Sequence, residues 1–119
     1  MPAVTIDVGW ATIGEDHGAT NPLTDAGLTA MAARFRLVHT ARLQQCKLLT
    51  DAGLERVAAG CPSLGHLDLE ACWQVTDFGL ERLAAGCPNL GHLDLGLCEL
   101  VTDAGLERLR AAGCTVFGR

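Results

Sequence analysis

A parallel α/β solenoid, with strands along one side and helices along the other, is the fold this sequence predicts. Two observations carry the prediction. Leu49–Gln74 recurs without a gap as Val75–Leu100, with 18 of 26 positions identical. Within each copy the apolar spacing changes from a helical period to strict alternation, the mark of a helix followed by a strand. A fixed period of this length means one supersecondary unit stacked on copies of itself. The frame runs back over Leu23–Leu48, which is looser, and forward into Val101–Arg119, which stops short. The organisation expected is therefore a cap strand and loop at 1–22, full units at 23–48, 49–74 and 75–100, and a partial unit or cap helix at 101–119.

In chain order, Val4–Val8 reads as an edge strand, with Ile6 and Val8 at the stations that Leu67 and Leu69 hold later. The Gly-, Asp- and Asn-containing stretch between Gly9 and Pro22 reads as a surface loop, and Trp10 as packing over an exposed edge. Each full unit opens on a helix. At Thr50–Pro62 and Thr76–Pro88 the pattern is Thr-Asp-x-Gly-Leu, then apolar residues at Leu54, Val57, Ala58 and at Leu80, Leu83, Ala84. Thr or Asp at the front caps free backbone N–H groups, and the acid also suits the positive end of the helix dipole. Gly60 and Gly86 close the helices, and Pro62 and Pro88 forbid continuation. Helices near Asp51–Ala59 and Asp77–Ala85 follow.

The second half of each unit is a strand. Leu67 and Leu69 alternate with His66, Asp68 and Glu70, so one face is buried. Leu64–Cys72 and Leu90–Cys98 share this pattern, and Val38, Ala41, Leu43 and Cys46 stand at the same stations in the looser copy. A strand and a helix repeated with short connections must pair the strands in parallel and keep the helices on one side. After the last full unit, Asp103–Ala112 reads as a fourth helix with one extra residue before Gly113. Val116 then takes the first leucine station of a strand that does not develop. Both ends look weakly capped, which points to self-association or to packing against another chain.

On Leu64, Leu67, Leu69 and Cys72 with Thr76, Asp77, Gly79, Leu80, Cys87 and Pro88, the chain resembles the cysteine-containing leucine-rich repeats. These form the substrate-receptor regions of F-box/LRR proteins; the mitotic-exit-network antagonists are also similar. The resemblance covers about Leu23–Cys114 and implies a right-handed, ribonuclease-inhibitor-like horseshoe segment, its parallel sheet concave and its helices convex. It also implies a protein partner, of the ubiquitin-ligase substrate type. Nothing before Leu23 is long or apolar enough to be an F-box.

Composition narrows the function classes. A net charge of −5 lacks the basic stripe of a nucleic-acid binder. No apolar run has the length of a membrane span and no signal-peptide pattern opens the chain, so a cytoplasmic or nuclear protein is expected. The six cysteines fall at repeat stations: Cys46, Cys72 and Cys98 at the turn leaving each strand, Cys61 and Cys87 at helix ends, Cys114 one residue out of frame. Small thiols suit buried turns beside a carbonyl. No Cys-x-x-Cys pair suggests zinc, and six free thiols favour a reducing compartment.

A short solenoid offers a surface, and its strand face is the usual binding side. The outward stations form rows: Thr40, His66, His92; then Arg42, Asp68, Asp94; then Gln44, Glu70, Gly96. Parallel strands about 4.8 Å apart make same-station side chains neighbours. Trp73, whose counterparts are Lys47 and Glu99, is the aromatic that the repeat does not demand; it is either a binding hot spot or a cover over Cys72. Thr40, Arg42, Gln44, His66, Asp68, Glu70, Trp73, His92 and Asp94 are thus the expected partner-binding set. Arg42 is placed to offset Asp68. No nucleophile–base pair and no phosphate-cradling loop is present, so neither catalysis nor a cofactor is expected. Two other readings stand beside this one: a divalent metal held by His66, His92, Asp68 and Asp94, and a duplicated or consensus scaffold with no ligand of its own.

Overall fold

The computed structural model describes residues 4–7, 24–32, 36 and 38–119. Strand and helix alternate throughout: β1 (Val4–Asp7), α1 (Asp25–Ala32), β2 (Val38–Arg42), α2 (Asp51–Gly60), β3 (His66–Asp68), α3 (Asp77–Gly86), β4 (His92–Asp94), α4 (Asp103–Ala111) and β5 (Thr115–Phe117). The five strands form one sheet in chain order, every pair parallel. The helices pack in the same order, α1 on α2, α2 on α3 and α3 on α4. Val8, the loop at 9–22 and Trp10 lie outside the described residues.

The core lies between the layers and repeats with the sequence. Leu54, Leu64, Leu67, Leu69 and Cys72 of one unit, and Leu80, Leu90, Leu93, Leu95 and Cys98 of the next, are all buried. A fully buried leucine contributes about 1.5–3 kcal/mol, so each unit supplies much of its own stability once a neighbour covers it. α2 and α3 each end one residue later than expected, with Cys61 and Cys87 as C-caps whose N–H groups bond back to Val57 and Leu83. The thiols do what small buried donors can. Cys72 Sγ donates to the Leu43 carbonyl at 3.1 Å, Cys98 Sγ to Leu69 at 3.1 Å, and Cys87 Sγ to Cys61 at 3.4 Å. All six cysteines are free and buried. Burial pushes the Cys87 and Cys98 thiols up to about 11, so both stay protonated donors at neutral pH.

The Thr-Asp-x-Gly motif joins units as well as starting helices. Thr50, Thr76 and Thr102 cap their own helices, as expected. The aspartates reach sideways. Asp25 accepts from Thr50 N at 2.8 Å and Thr50 Oγ1 at 2.5 Å. Asp51 repeats this on Thr76 and Asp77 on Thr102, with N–H distances of 2.8 and 2.9 Å. Room for each carboxylate requires a glycine beneath it: a Cβ on Gly79 would stand 2.3 Å from Asp51 Oδ1. The motif is a ladder of rungs between units, and it sets the spacing of the helix layer.

The last unit corrects the expectation that no strand follows α4. β5 forms and pairs with β4 through His92↔Thr115, Leu93↔Val116 and Asp94↔Phe117. Val116 therefore holds the second leucine station, that of Leu67 and Leu93, not the first. Three residues are missing between helix and strand: Leu109 to Val116 spans seven positions, Leu83 to Leu93 ten. The shortening also places Cys114 directly before the strand, opposite Gly91, and not at the helix end. α4 itself stops at Ala111, one residue earlier than expected.

Candidate functional site

The sheet register builds the rows expected on the strand face. Thr40, His66 and His92 are direct partners, as are Arg42, Asp68 and Asp94. β1 and β5 extend them, with Thr5 and Thr115 in the first row and Asp7 and Phe117 in the second. The side chains of β2 to β5 at these stations point away from the leucine core because successive residues of a strand alternate faces.

Aromatic rings run across three of the strands. His66 and His92 lie with centroids 5.6 Å apart, and His92 stacks on Phe117 at 5.7 Å with 23° between planes. Phe117 is 46% exposed, a large apolar ring left on the surface. It was absent from the expected site because the shortened last unit hid its strand. The alternating Thr-Val-Phe run was the signal available.

Beside the rings stand the acids. One ligand oxygen each from Asp68, Glu70 and Asp94 lie within 4.8 Å of one another. Burial raises the Asp68 carboxyl above the usual range, and Asp94 adds to this, while the Glu70 amide and the Gln44 side chain favour its charged form. Glu70 is raised by burial and by the charges of Asp94 and Asp68. The Glu70 and Gly96 amides donate to Asp68 and Asp94 at 3.0 Å, which fixes both carboxylates on the face. This grouping corrects the metal alternative: the converging groups are Asp68, Glu70 and Asp94, without His66 and His92. Arg42 makes no ion pair with Asp68. Among the described residues the two ion pairs, Arg82–Glu55 and Arg108–Glu81, both lie on the helices.

Gln44 is half-buried with its Oε1 enclosed and unpaired, and Thr40 shares a hydrogen bond at 3.2 Å with His39. Trp73 sits on the turn past β3, 51% exposed, with Lys47 Nζ 4.1 Å above its ring. It adjoins the rows without belonging to them. Leu48, Leu97 and Leu100 are exposed at neighbouring turn positions. Leu97 also holds a left-handed backbone (φ 62°), as do Gln45 and Ala71 at the same station.

A family model described as Leucine Rich repeat matches residues 86–109. The chain is similar to one in the crystal structure of the Rad7 and Elc1 complex of yeast, at 22% identity and a TM-score of 0.68. The match covers 81% of this chain and 30% of that one. The fold is a leucine-rich-repeat solenoid. No curated protein matches the sequence. No helix among the described residues is long and apolar enough to cross a membrane. The repeat accounts for the parallel sheet, the buried leucine stations and the cysteine turns.

Proposed function

We propose that this solenoid is a non-catalytic protein-binding module whose strand face takes a basic segment of a partner protein. The observation that carries the reading is the acidic group of Asp68, Glu70 and Asp94 set beside the half-buried His66 ring and the exposed His92 and Phe117 rings. Three carboxylates at this separation repel, and two are already raised in pKa. A guanidinium relieves that repulsion, bonds carboxylates through its planar fork, and stacks on an aromatic ring. Thr40, Arg42 and Gln44 flank this centre, and Trp73 extends it as an anchor at the rim.

The structural likeness to a chain of the Rad7–Elc1 complex supports assembly with protein, and the finer reading is substrate recognition of the F-box/LRR type in a reducing cytoplasmic or nuclear compartment. The test is an array of arginine-containing peptides against their lysine-, alanine- and glutamate-substituted forms. Arginine peptides should bind, weaken in salt, and lose binding to the Asp68→Asn, Glu70→Gln, Asp94→Asn triple variant. Binding that ignores the triple variant, or prefers acidic peptides, would remove the proposal. Self-association is the competing use of the exposed Leu97, Leu100 and Phe117. Light scattering over a concentration series under reducing conditions separates a monomer with a free face from an assembly that covers this end.

A further inference from the structure

We infer that residues 114–119 form a latched strap, hinged at Gly113 and locked by Arg119, which opens without the rest of the solenoid unfolding. Four observations lead to it. The segment follows one left-handed glycine, Gly113 (φ 92°), and contains another, Gly118 (φ 80°), and a Cβ at Gly113 would meet nothing within 4 Å. A hinge there has open space where a side chain would stand. The strap buries little: Cys114 is the one residue from 114 to 119 in the buried core, Val116 is half-buried, and Thr115 and Phe117 are exposed. The three-residue shortening removes the leucine that anchors the start of β3 and β4, Leu64 or Leu90. Local stability follows buried apolar contact, so this strand stands at the low end of the molecule.

What holds it is polar and sits at its far end. The Arg119 guanidinium donates to the carbonyls of Cys98 and Val101, the latter at 2.9 Å. These belong to the turn after β4. In the units before it, the side chain of a following unit serves the same turns: Gln74 Nε2 donates to the Lys47 carbonyl at 2.6 Å, and Cys98 Sγ to Leu69. Arg119 serves the turn after β4 as Gln74 and Cys98 serve the turns before it. Gly118 makes this reach feasible, because any Cβ there would lie 2.6 Å from Gly96 N and 2.9 Å from Asp94 Oδ1. Between hinge and latch, Thr115 N donates to Gly91 O at 2.8 Å and Leu95 N to Phe117 O at 3.0 Å. Opening breaks these bonds with the rest of the β4–β5 pairing and lifts Phe117 from His92, so the latch sets how long the last ring stays in the row.

Native-state amide exchange, with the His92 imidazole shift by NMR, tests this on the whole chain. Leu95 and Thr115 amides should exchange by a local opening insensitive to low denaturant, and Leu69, which donates to Asp94 O within the inner sheet, should exchange more slowly. Arg119→Ala should raise the Leu95 and Thr115 rates by about tenfold, the loss expected for charge-assisted bonds at an exposed site, and leave Leu69 unchanged. Arg119→Lys, which keeps the charge without the fork, should fall between. The His92 shift should move toward that of Phe117→Ala in the same order. Equal acceleration of Leu69, or no acceleration at Leu95 and Thr115, would overturn the strap.

Discussion

The seam between α2 and α3 and the seam between α3 and α4 are built from almost the same sequence and pack differently. At the first, Gly86 lies against the Ala58 backbone so closely that a Cβ would stand 2.5 Å from its carbonyl oxygen. The groove left there is shallow, lined by Glu55, Ala58, Ala59, Arg82, Ala85 and Gly86, none of them buried. At the second seam Ala112 replaces that glycine and Arg110 replaces Ala84. The groove at the second seam, about 230 Å³ against about 340 Å³ at the first, is the smaller of the two but reaches down to the buried residues Leu80, Gly105 and Leu109. The Asp–Thr rung is intact at both seams. The same rung therefore starts both helices, while the close approach of Gly86 to Ala58 belongs to the first seam alone.

The largest effect that sharpens this contrast is in the core. Leu67→Ala should cost about 2–5 kcal/mol by chemical denaturation, and Leu109→Ala should fall at the bottom of that range because the open seam relaxes around it. Equal losses would mean the two seams are equally rigid. Next is the rung itself. Gly79→Ala drives a Cβ into the Asp51 carboxylate and should destabilise by about 2–3 kcal/mol, with loss of the hydroxyl and amide bonds to Thr76. Then comes the close approach: Gly86→Ala should cost about 1–3 kcal/mol through overpacking, whereas Ala112→Gly, at the C-cap of α4, should cost about 1 kcal/mol or less, from the greater freedom of glycine in the unfolded chain. If Ala112→Gly stabilises, that alanine is what holds the second seam open.

The smallest effects belong to the strand face. His66→Ala should change stability by less than about 0.5 kcal/mol, since its ring is outside the core. Asp68→Asn probes pH. Its folded pKa is raised by burial, so protonation favours the folded state; the stability gained in acid is lost as pH rises through that raised value. The variant should melt slightly above the parent at neutral pH and match it in acid. A lower melting temperature at neutral pH would mean that the carboxylate is compensated by a cation.

Much of this was legible in the residues. The buried stations Leu64, Leu67, Leu69 and Cys72 declare themselves by alternation, and the rows Thr40–His66–His92 and Arg42–Asp68–Asp94 follow once the period is known. Phe117 and Arg119 were hidden for a physical reason. Periodic reasoning carries a station forward by counting, and the three-residue shortening before β5 breaks the count. The aspartates of the Thr-Asp-x-Gly motif were read as local caps, because in an isolated helix an acid in the first turn has that role. Arg42 stands one strand from Asp68 without pairing with it, since a shared station brings backbones together and leaves long side chains free to point elsewhere.

The sequence alone determined the unit, its period, the parallel sheet with helices on one side, and which face of each strand is buried. These follow from local propensity and hydrophobic alternation, which need no knowledge of distant contacts. Tertiary structure decided the rest. It turned Asp25, Asp51 and Asp77 toward the next unit, gathered Asp68, Glu70 and Asp94 into one group, aligned Phe117 with His92, and brought Arg119 back to the turn at Cys98. Each depends on distances across units 21 to 26 positions apart in the chain, set by how the leucine core stacks one unit on the next.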